Sequence, residues 1–361
     1  MFKRIVKTKS FLAVCVIASS GGAALSLKNY FTAKYGGDDN LKGRICIVTG
    51  ANSGIGKATA EELARKGARV IMGCRNLEKC KEARKSIVLS TRNRHVVCRE
   101  LDLSSYDSIR GFAVNVLTEE PAIHLLINNA GVTDIKRTIT KEGIETHMGV
   151  NYFGHFLLSM LLLDKLKECQ PSRIVNVSSV AHERATINFD DLNSDKEFNS
   201  RAVYAQSKLA NLIFTMTLAE KLKADKVNNL LVLAVHPGLV NTEIIRHMIS
   251  SVWARRLYAP FFYAFLKTPT QGAQSVLYAA LSPELNDLSG SYISDCAVKE
   301  PSGEAKSAKI ALRLWLTSLK WVRLEEQTAK FKQELRDAIE AKKKHEEEER
   351  KRNLELQKLV S

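Results

Sequence analysis

Tyr204 and Lys208 are four residues apart, and side chains of these types at this spacing could do chemistry together. On a helix, both side chains lie on one face and within reach of each other. An isolated phenol has a pKa of about 10, which a nearby ammonium group lowers. Such a pair could transfer a proton near neutral pH. Taken alone, the spacing also fits an ordinary helix surface, so other motifs must decide.

A second candidate is the glycine-rich stretch at residues 49–56, which reads TGANSGIG. Glycines let backbone amides approach a phosphate group, and the start of a following helix adds partial positive charge at the same point. The stretch therefore predicts a phosphate-binding turn. A tight turn with a purely structural role is the alternative.

The elements that would position these motifs alternate between short apolar runs and helix-length segments. Lys57 to Lys66 has helical periodicity, and the predicted strands are residues 44–48, 68–74, 96–101, 125–128, 173–178 and 230–235. This order predicts an α/β fold of the Rossmann type, a single domain in which a doubly wound parallel sheet carries helices on both faces.

In this setting the sequence resembles the short-chain dehydrogenase/reductase family over about residues 43 to 298. The shared motifs are T-G-x-x-x-G-x-G from Thr49, N-N-A-G at Asn128 to Gly131, an asparagine at Asn151, Y-x-x-x-K at Tyr204 and Lys208, and P-G-x-x-x-T from Pro237 to Thr242. The resemblance implies a catalytic set of Asn151, Ser179, Tyr204 and Lys208, with Ser179 favoured over Ser178 by its place at the strand end.

The family mechanism assigns a role to each member of this set. Ser179 would hold the substrate oxygen and Tyr204 would pass the proton. Lys208 would lower the pKa of Tyr204 and bind the nicotinamide ribose, while Asn151 would support a water that connects the lysine to solvent. A serine hydrolase with His182 is rejected because the sequence has no G-x-S-x-G motif. His155 and His236 are interpreted as packing or hydrogen-bonding residues.

The resemblance also implies the residues that bind the cofactor: Gly50, Asn52, Ser53, Gly54, Ile55, Gly56, Arg75, Asp102, Leu103, Asn129, Ala130, Gly131, Tyr204, Lys208, Pro237, Gly238 and Thr242. The second strand ends at Gly73-Cys74-Arg75, without the acidic residue that would repel a 2′-phosphate. Arg75, with Lys57 as a second cation, therefore favours NADP(H). NAD(H) stays open.

Several core stretches, among them GARVIMGCRN and RIVNVSSVAH, are similar to the retinol dehydrogenase branch of this family. That branch implies NADP(H)-dependent interconversion of retinol and retinal or a similar apolar alcohol and carbonyl compound. An aromatic segment at residues 239–266, with arginines at 246, 255 and 256, would cap an apolar substrate near anionic head groups. The alternatives are a steroid or polyisoprenoid dehydrogenase on the same scaffold, or a non-catalytic scaffold protein.

The two ends of the chain differ from the core in charge. Residues 1–35 carry six basic and no acidic side chains around an uncharged stretch from Ser10 to Leu27, which predicts a membrane anchor or targeting segment. A linker at 36–43 precedes the domain at 44–324. A charged tail at 325–361, with ten side chains of each sign, should form a solvated helix. Similarity to the branch implies membrane association, in the endoplasmic reticulum or the mitochondrial inner membrane.

Charge and cysteine content limit the partners. The net charge of +15 includes no Lys/Arg stripe with interleaved aromatic residues, so nucleic acid is not expected. The seven cysteines have no C-x-x-C spacing, so we expect reduced thiols and no metal site. An apolar small molecule and the membrane are the expected partners, and relatives suggest a homodimer through helices near 150–168 and 204–223. A partner for the tail is not identified.

Overall fold

The computed structural model describes residues 33–133, 135–169, 171–240 and 266–360. The uncharged stretch of the predicted N-terminal membrane segment lies outside these ranges, as do Thr242 and most of the aromatic segment that was predicted to cap the substrate. Within the described ranges, no helix combines the length and the apolar character needed to cross a membrane.

One eight-stranded sheet forms the centre of the fold. Its spatial order is β3-β2-β1-β4-β5-β6-β7-β8, and all neighbours are parallel except β7 and β8. The strands are β1 Ile45–Thr49, β2 Arg69–Cys74, β3 Val96–Glu100, β4 Leu125–Asn128, β5 Ser172–Val177, β6 Leu230–His236, β7 Tyr292–Ser294 and β8 Ala297–Lys299. The central strands are buried along their whole length, as expected of a parallel sheet covered on both faces.

Helices cover both faces of this sheet. They are α1 Gly54–Arg65, α2 Leu77–Thr91, α3 Tyr106–Glu119, α4 Gly154–Glu168, α5 Ser200–Ala224, α6 Pro269–Leu281, α7 Ala308–Trp321 and α8 Leu324–Val360. Polar side chains begin several of them. Asn199 caps α5 by accepting from two backbone amides, and Thr268 and Gln271 form a capping box at α6. The predicted Rossmann-type α/β fold is confirmed.

The prediction that every cysteine is a reduced thiol is wrong for one pair. Cys80 on α2 and Cys98 on β3 form a disulfide, with Cα atoms 6.0 Å apart. The two residues are 18 apart in sequence, too far for any short motif, and only the packing of α2 on β3 brings them together. Cys46, Cys74, Cys169 and Cys296 are free thiols.

The two C-terminal helices pack on the domain. Tyr152 Oη lies 2.7 Å from Ser318 Oγ of α7, and the Trp315 ring lies 5.5 Å from that of Phe156 on α4 and 6.3 Å from that of Phe214 on α5. Helix α7 therefore lies across the two helices that were expected to pair copies of the chain.

The charged tail is helical, as predicted, but its beginning is not solvated. In α8, Gln327 and Phe331 are buried, and Arg110 of α3 donates to Gln327 and, at 3.2 Å, to Glu334. The sequence did not predict this contact, because the first turns of α8 have few apolar side chains among many charged ones. Farther along, residues 340–353 are exposed, apart from a hydrogen bond of Lys342 to the Thr118 carbonyl.

Replacing Trp315 tests how much α7 contributes to stability. Trp315→Ala should lower the free energy of unfolding by about 3 kcal/mol, because it removes a buried ring packed between Phe156 and Phe214. Urea denaturation measures the change. Leu316→Ala, at an exposed position one residue on, should cost less than about 0.5 kcal/mol. Equal losses in the two variants would mean that α7 does not stabilise the core.

Candidate active site

A cleft of about 1050 Å³ opens at the carboxyl ends of the parallel strands, where the order reverses between β1 and β4. Ligands bind at this position in doubly wound sheets. The cleft is lined by the following predicted residues: Gly50, Asn52, Ser53, Gly54, Ile55, Gly56, Arg75, Asp102, Leu103, Asn129, Ala130, Gly131, Ser179, Tyr204, Lys208, Pro237 and Gly238. One fold feature thus gathers motifs that are spread over nearly 190 residues of chain.

Two glycines of the stretch between β1 and the start of α1 have no room for a Cβ atom. A Cβ atom on Gly50, which has φ +65°, would lie 2.9 Å from Ala130 Cα, and one on Gly56 would lie 2.4 Å from Asn129 Nδ2. Glycine is therefore required at both positions. The turn lines the cleft just before the N-terminus of α1. This arrangement suits the phosphates of a dinucleotide, so the site fits the implied cofactor.

Thr49, the last residue of β1, connects the glycine-rich turn to the N-N-A-G segment. Its hydroxyl accepts hydrogen bonds from the backbone amides of Asn129 and Ala130, both at 2.9 Å. The Asn129 side chain donates in return to the Thr49 carbonyl at 2.8 Å. The carboxyl ends of β1 and β4 are thereby held together beneath the cleft.

His155 extends this network to α4. Its Nδ1 lies 3.1 Å from the Asn151 carbonyl, which can only accept, so Nδ1 carries the proton. Nε2 then accepts from the Thr49 hydroxyl at 2.9 Å. Burial lowers the pKa of His155 to about 3, which keeps the ring neutral and preserves both hydrogen bonds. The interpretation of His155 as a hydrogen-bonding residue agrees with this geometry.

Asn151 lies behind the cleft wall, in a π-helical turn at Gly149–Phe153 that precedes α4. Its side chain accepts from the Val132 amide at 2.7 Å and donates to the Val132 carbonyl at 3.0 Å and to Ser207 Oγ at 2.9 Å. These bonds hold the segment after β4 against α5. A Cβ on Gly131 would lie 3.3 Å from Asn151 Oδ1 and 3.6 Å from Lys208 Nζ, so both groups meet at this glycine.

Ser179, Tyr204 and Lys208 come together at one end of the cleft. The Ser179 hydroxyl is close enough to the Tyr204 phenol to lower its pKa, and Lys208 Nζ lies 5.6 Å from the centre of the Tyr204 ring. Lys208 also donates to the Val177 carbonyl at 2.9 Å, which fixes its side chain. The structure therefore brings a hydroxyl, a phenol and an amine into one proton-transfer group.

The balance of charge in this group differs from expectation. Burial raises the pKa of Tyr204, and the hydrogen bond from Ser179 opposes this rise. The pKa of Lys208 is lowered to about 8, because a buried ammonium loses its hydration. The protein alone thus does not show the lowered pKa of Tyr204 that was expected from Lys208.

The structure distinguishes the two adjacent serines and explains the neighbouring histidine. Ser178 Oγ is committed to the Lys208 carbonyl at 2.8 Å, whereas Ser179 Oγ faces Tyr204. His182 Nδ1 lies 2.7 Å from the Ser179 carbonyl, not from its hydroxyl. His182 therefore fixes the serine-bearing turn and does not activate the hydroxyl.

At the other end of the cleft, the structure separates the two cations that the sequence analysis considered for the 2′-phosphate. Arg75 lines the cleft, but Lys57 is not among the described lining residues and its amine lies 3.3 Å from Ser86 Oγ. Lys79, which the sequence analysis missed, lines the cleft instead. The sequence did contain a signal for Lys79. Asn76 caps α2, so Lys79 falls in the first turn of that helix, four residues after Arg75.

His236, interpreted as a packing or hydrogen-bonding residue, also lines the cleft at the end of β6. Its Nδ1 is buried and has no hydrogen-bond partner among the described residues. Burial lowers its pKa to about 4.

Both buried histidines should make the protein sensitive to acid. A folded-state pKa below the unfolded value means that unfolding takes up protons, so stability falls as pH decreases below about 6.5. His155 alone should cost about 2 kcal/mol between pH 7 and pH 5. Unfolding free energies of His155→Gln should show a shallower slope over this range. The exposed His95→Gln is the control, and an unchanged slope in His155→Gln would contradict the argument.

Known proteins agree with this geometry. The model of the short chain dehydrogenase family matches residues 44–252. The chain is 44% identical to human retinol dehydrogenase 13 over 325 residues, which cover 88% of this chain and 96% of that protein. It is 49% identical to human retinol dehydrogenase 11 over 275 residues, covering 76% and 84%.

A solved structure of an uncharacterized protein from Mycobacterium paratuberculosis is also similar, with a TM-score of 0.64 and 33% identity over 79% of this chain and 95% of that one. A Shigella flexneri short chain dehydrogenase complexed with NADP shares the fold, with a TM-score of 0.54 and 22% identity over 72% of this chain and all of that one. The chain belongs to the short-chain dehydrogenase family, in its retinol dehydrogenase-like branch, and is an oxidoreductase that acts on CH–OH donors.

Proposed function

We propose that the protein is an NADP(H)-dependent oxidoreductase that interconverts retinol and retinal or a similar apolar alcohol and carbonyl compound. One observation carries the proposal. The same cleft holds Ser179, Tyr204 and Lys208 at one end, and Arg75 and Lys79 at the other. Hydride transfer with NADP(H) requires both the proton-transfer residues and cations that bind the 2′-phosphate.

In this mechanism the nicotinamide, when bound, supplies or accepts the hydride. The Ser179 hydroxyl hydrogen-bonds the substrate oxygen and positions it next to Tyr204. Tyr204 then donates its phenolic proton to that oxygen during reduction, or receives a proton during oxidation. The raised pKa of Tyr204 keeps the phenol protonated in the free protein, which suits reduction. Lys208, held by the Val177 carbonyl, stands beside the phenol to restore the proton.

The preference for NADP(H) is proposed from the end of β2. The chain after β2 continues with Arg75 and Asn76, and neither position holds a carboxylate that would repel a 2′-phosphate. Arg75 and Lys79 are exposed at the cleft. Asp102, which follows β3, accepts from the Ser104 amide and hydroxyl at 3.0 and 2.6 Å. By its resemblance to the family position, we assign this oriented carboxylate to the adenine amino group of the cofactor.

The apolar substrate is supported by the lining at the catalytic end of the cleft, which includes Ile135, Val150, Val180 and Leu239. The similarity to retinol dehydrogenases supports a retinoid or another lipid carbonyl compound. Association with a membrane of the endoplasmic reticulum or of the mitochondrion, through the N-terminal segment, is part of the same proposal.

Tyr204→Phe tests the mechanism. Oxidation of NADPH with all-trans-retinal should fall by about 10²-fold or more, because the variant has no proton to donate, while the affinity for NADPH stays within about twofold. Steady-state absorbance and fluorescence titration measure the two quantities. A variant with unchanged turnover would contradict the mechanism and favour the scaffold alternative. Tight NADPH binding by the parent without turnover of retinal would direct the search to steroids and polyisoprenoids.

Arg75→Ala and Lys79→Ala test the cofactor preference. Each should raise the KM for NADPH about tenfold and leave that for NADH unchanged, because only NADPH carries the 2′-phosphate. Lys57→Ala removes a nearby cation outside the described cleft lining and is the matched control. Equal changes for the two cofactors would show that these side chains do not read the phosphate.

A further inference from the structure

Helix α7 presents two opposite faces to its surroundings. The inner face is fixed on the domain through Leu314, Trp315 and Ser318, all buried. On the outer face, Leu312 is 59% exposed and Leu316 is 56% exposed. These leucines are one turn apart and so lie side by side. Among the described residues they are the only large hydrophobic pair exposed in this way on one helix.

Basic side chains follow the same outer face. At 100° per residue, Lys309, Arg313 and Lys320 fall within about 60° of Leu316, and the buried Leu314 and Ser318 lie about 160° from it. Together these five residues form a stripe in which cations and leucines alternate. We call it the α7 stripe.

The α7 stripe carries positive charge with little to neutralise it. Helix α7 contains no acidic residue. Lys309 and Lys320 make no ion pair with any residue in the described ranges. Arg313 lies 3.7 Å from Asp190, and both side chains are mostly exposed. Its guanidinium also lies 4.2 Å from the centre of the Phe189 ring, which holds it at the surface.

We propose that the α7 stripe is a docking surface for a membrane that contains anionic lipids. Leucines on a narrow stripe can enter the boundary between head groups and acyl chains, while flanking Lys and Arg side chains pair with lipid phosphates. A stable protein partner would require about 800 Å² from this side, which is more than a stripe of five residues offers. The charge and the width therefore favour lipid.

Helix α7 is linked to the catalytic end of the cleft through the segment that precedes it. The segment leading into α7 is tied to the catalytic turn, because the Ser302 amide donates to His182 Nε2 at 3.4 Å and His182 in turn binds the Ser179 carbonyl. The membrane contact goes beyond the proposed oxidoreductase activity and stands without it. Its test uses no substrate.

The experiment uses the full chain with vesicles of phosphatidylcholine alone or mixed with phosphatidylserine, both containing acyl-brominated lipid. The Leu316→Trp variant places a fluorophore in the stripe, and Leu89→Trp places one at a leucine of 60% exposure on α2. The fluorescence of the added tryptophan is obtained by subtracting the fluorescence of the parent from that of the variant. For Leu316→Trp, this difference should be quenched at least twofold on vesicles that contain phosphatidylserine. Leu89→Trp should be unaffected.

The charges are tested by adding Lys309→Gln and Lys320→Gln to Leu316→Trp, which should reduce the quenching by half or more. Thermal unfolding of each variant checks that the fold is kept. Binding of all variants to vesicles without selective quenching of Leu316→Trp would overturn the proposal and leave attachment to other parts of the chain. A second pair of results would overturn the proposal in favour of a second copy of the chain. Leu316→Trp would not be quenched, and a concentration-dependent self-association of the parent would be lost in Leu312→Gln/Leu316→Gln.

Discussion

The hydroxyl of Thr49 holds three segments of the chain at one point. It binds the backbone amides after β4 and the imidazole of His155, and it belongs to the strand that ends in the glycine-rich turn. A hydroxyl can do this because it accepts and donates at once. His155 must be neutral for the arrangement to hold, and its burial ensures this. The glycine-rich turn, the segment after β4 and helix α4 are therefore connected through one side chain.

At the catalytic end of the cleft, burial acts on the protonation of both reactive side chains. Burial raises the pKa of Tyr204 and lowers that of Lys208, so both shifts reduce the charge in the site. The shifts move the two pKa values apart, so the phenol keeps its proton and a protonated Lys208 can return a proton to a phenolate. The Val177 carbonyl and Ser179 fix the geometry of this exchange.

The sequence was sufficient for the fold and for most of the cleft, since hydrophobic runs, glycines and ordered motifs all report on local structure. What it missed depends on contacts between distant segments. The Cys80–Cys98 bond exists because α2 packs on β3, and Lys79 in the first turn of α2 lines the cleft, whereas Lys57 is not among the described lining residues. The amide partners of Asn151 and the burial of Phe331 likewise arise only in the folded chain. Periodicity within one segment cannot reveal such contacts.

Helix α8 continues as one helix well past Lys342, which makes its last hydrogen bond to the domain among the described side chains. Lys342 reaches the Thr118 carbonyl, and the helix then runs on to Val360. At 1.5 Å per residue, these final 18 residues span about 27 Å. Glu346 to Glu349 lie one turn before Arg350 to Arg352, an arrangement that supports a helix without tertiary packing. The end of the chain is thus carried on a stiff spacer whose length is set by helix geometry.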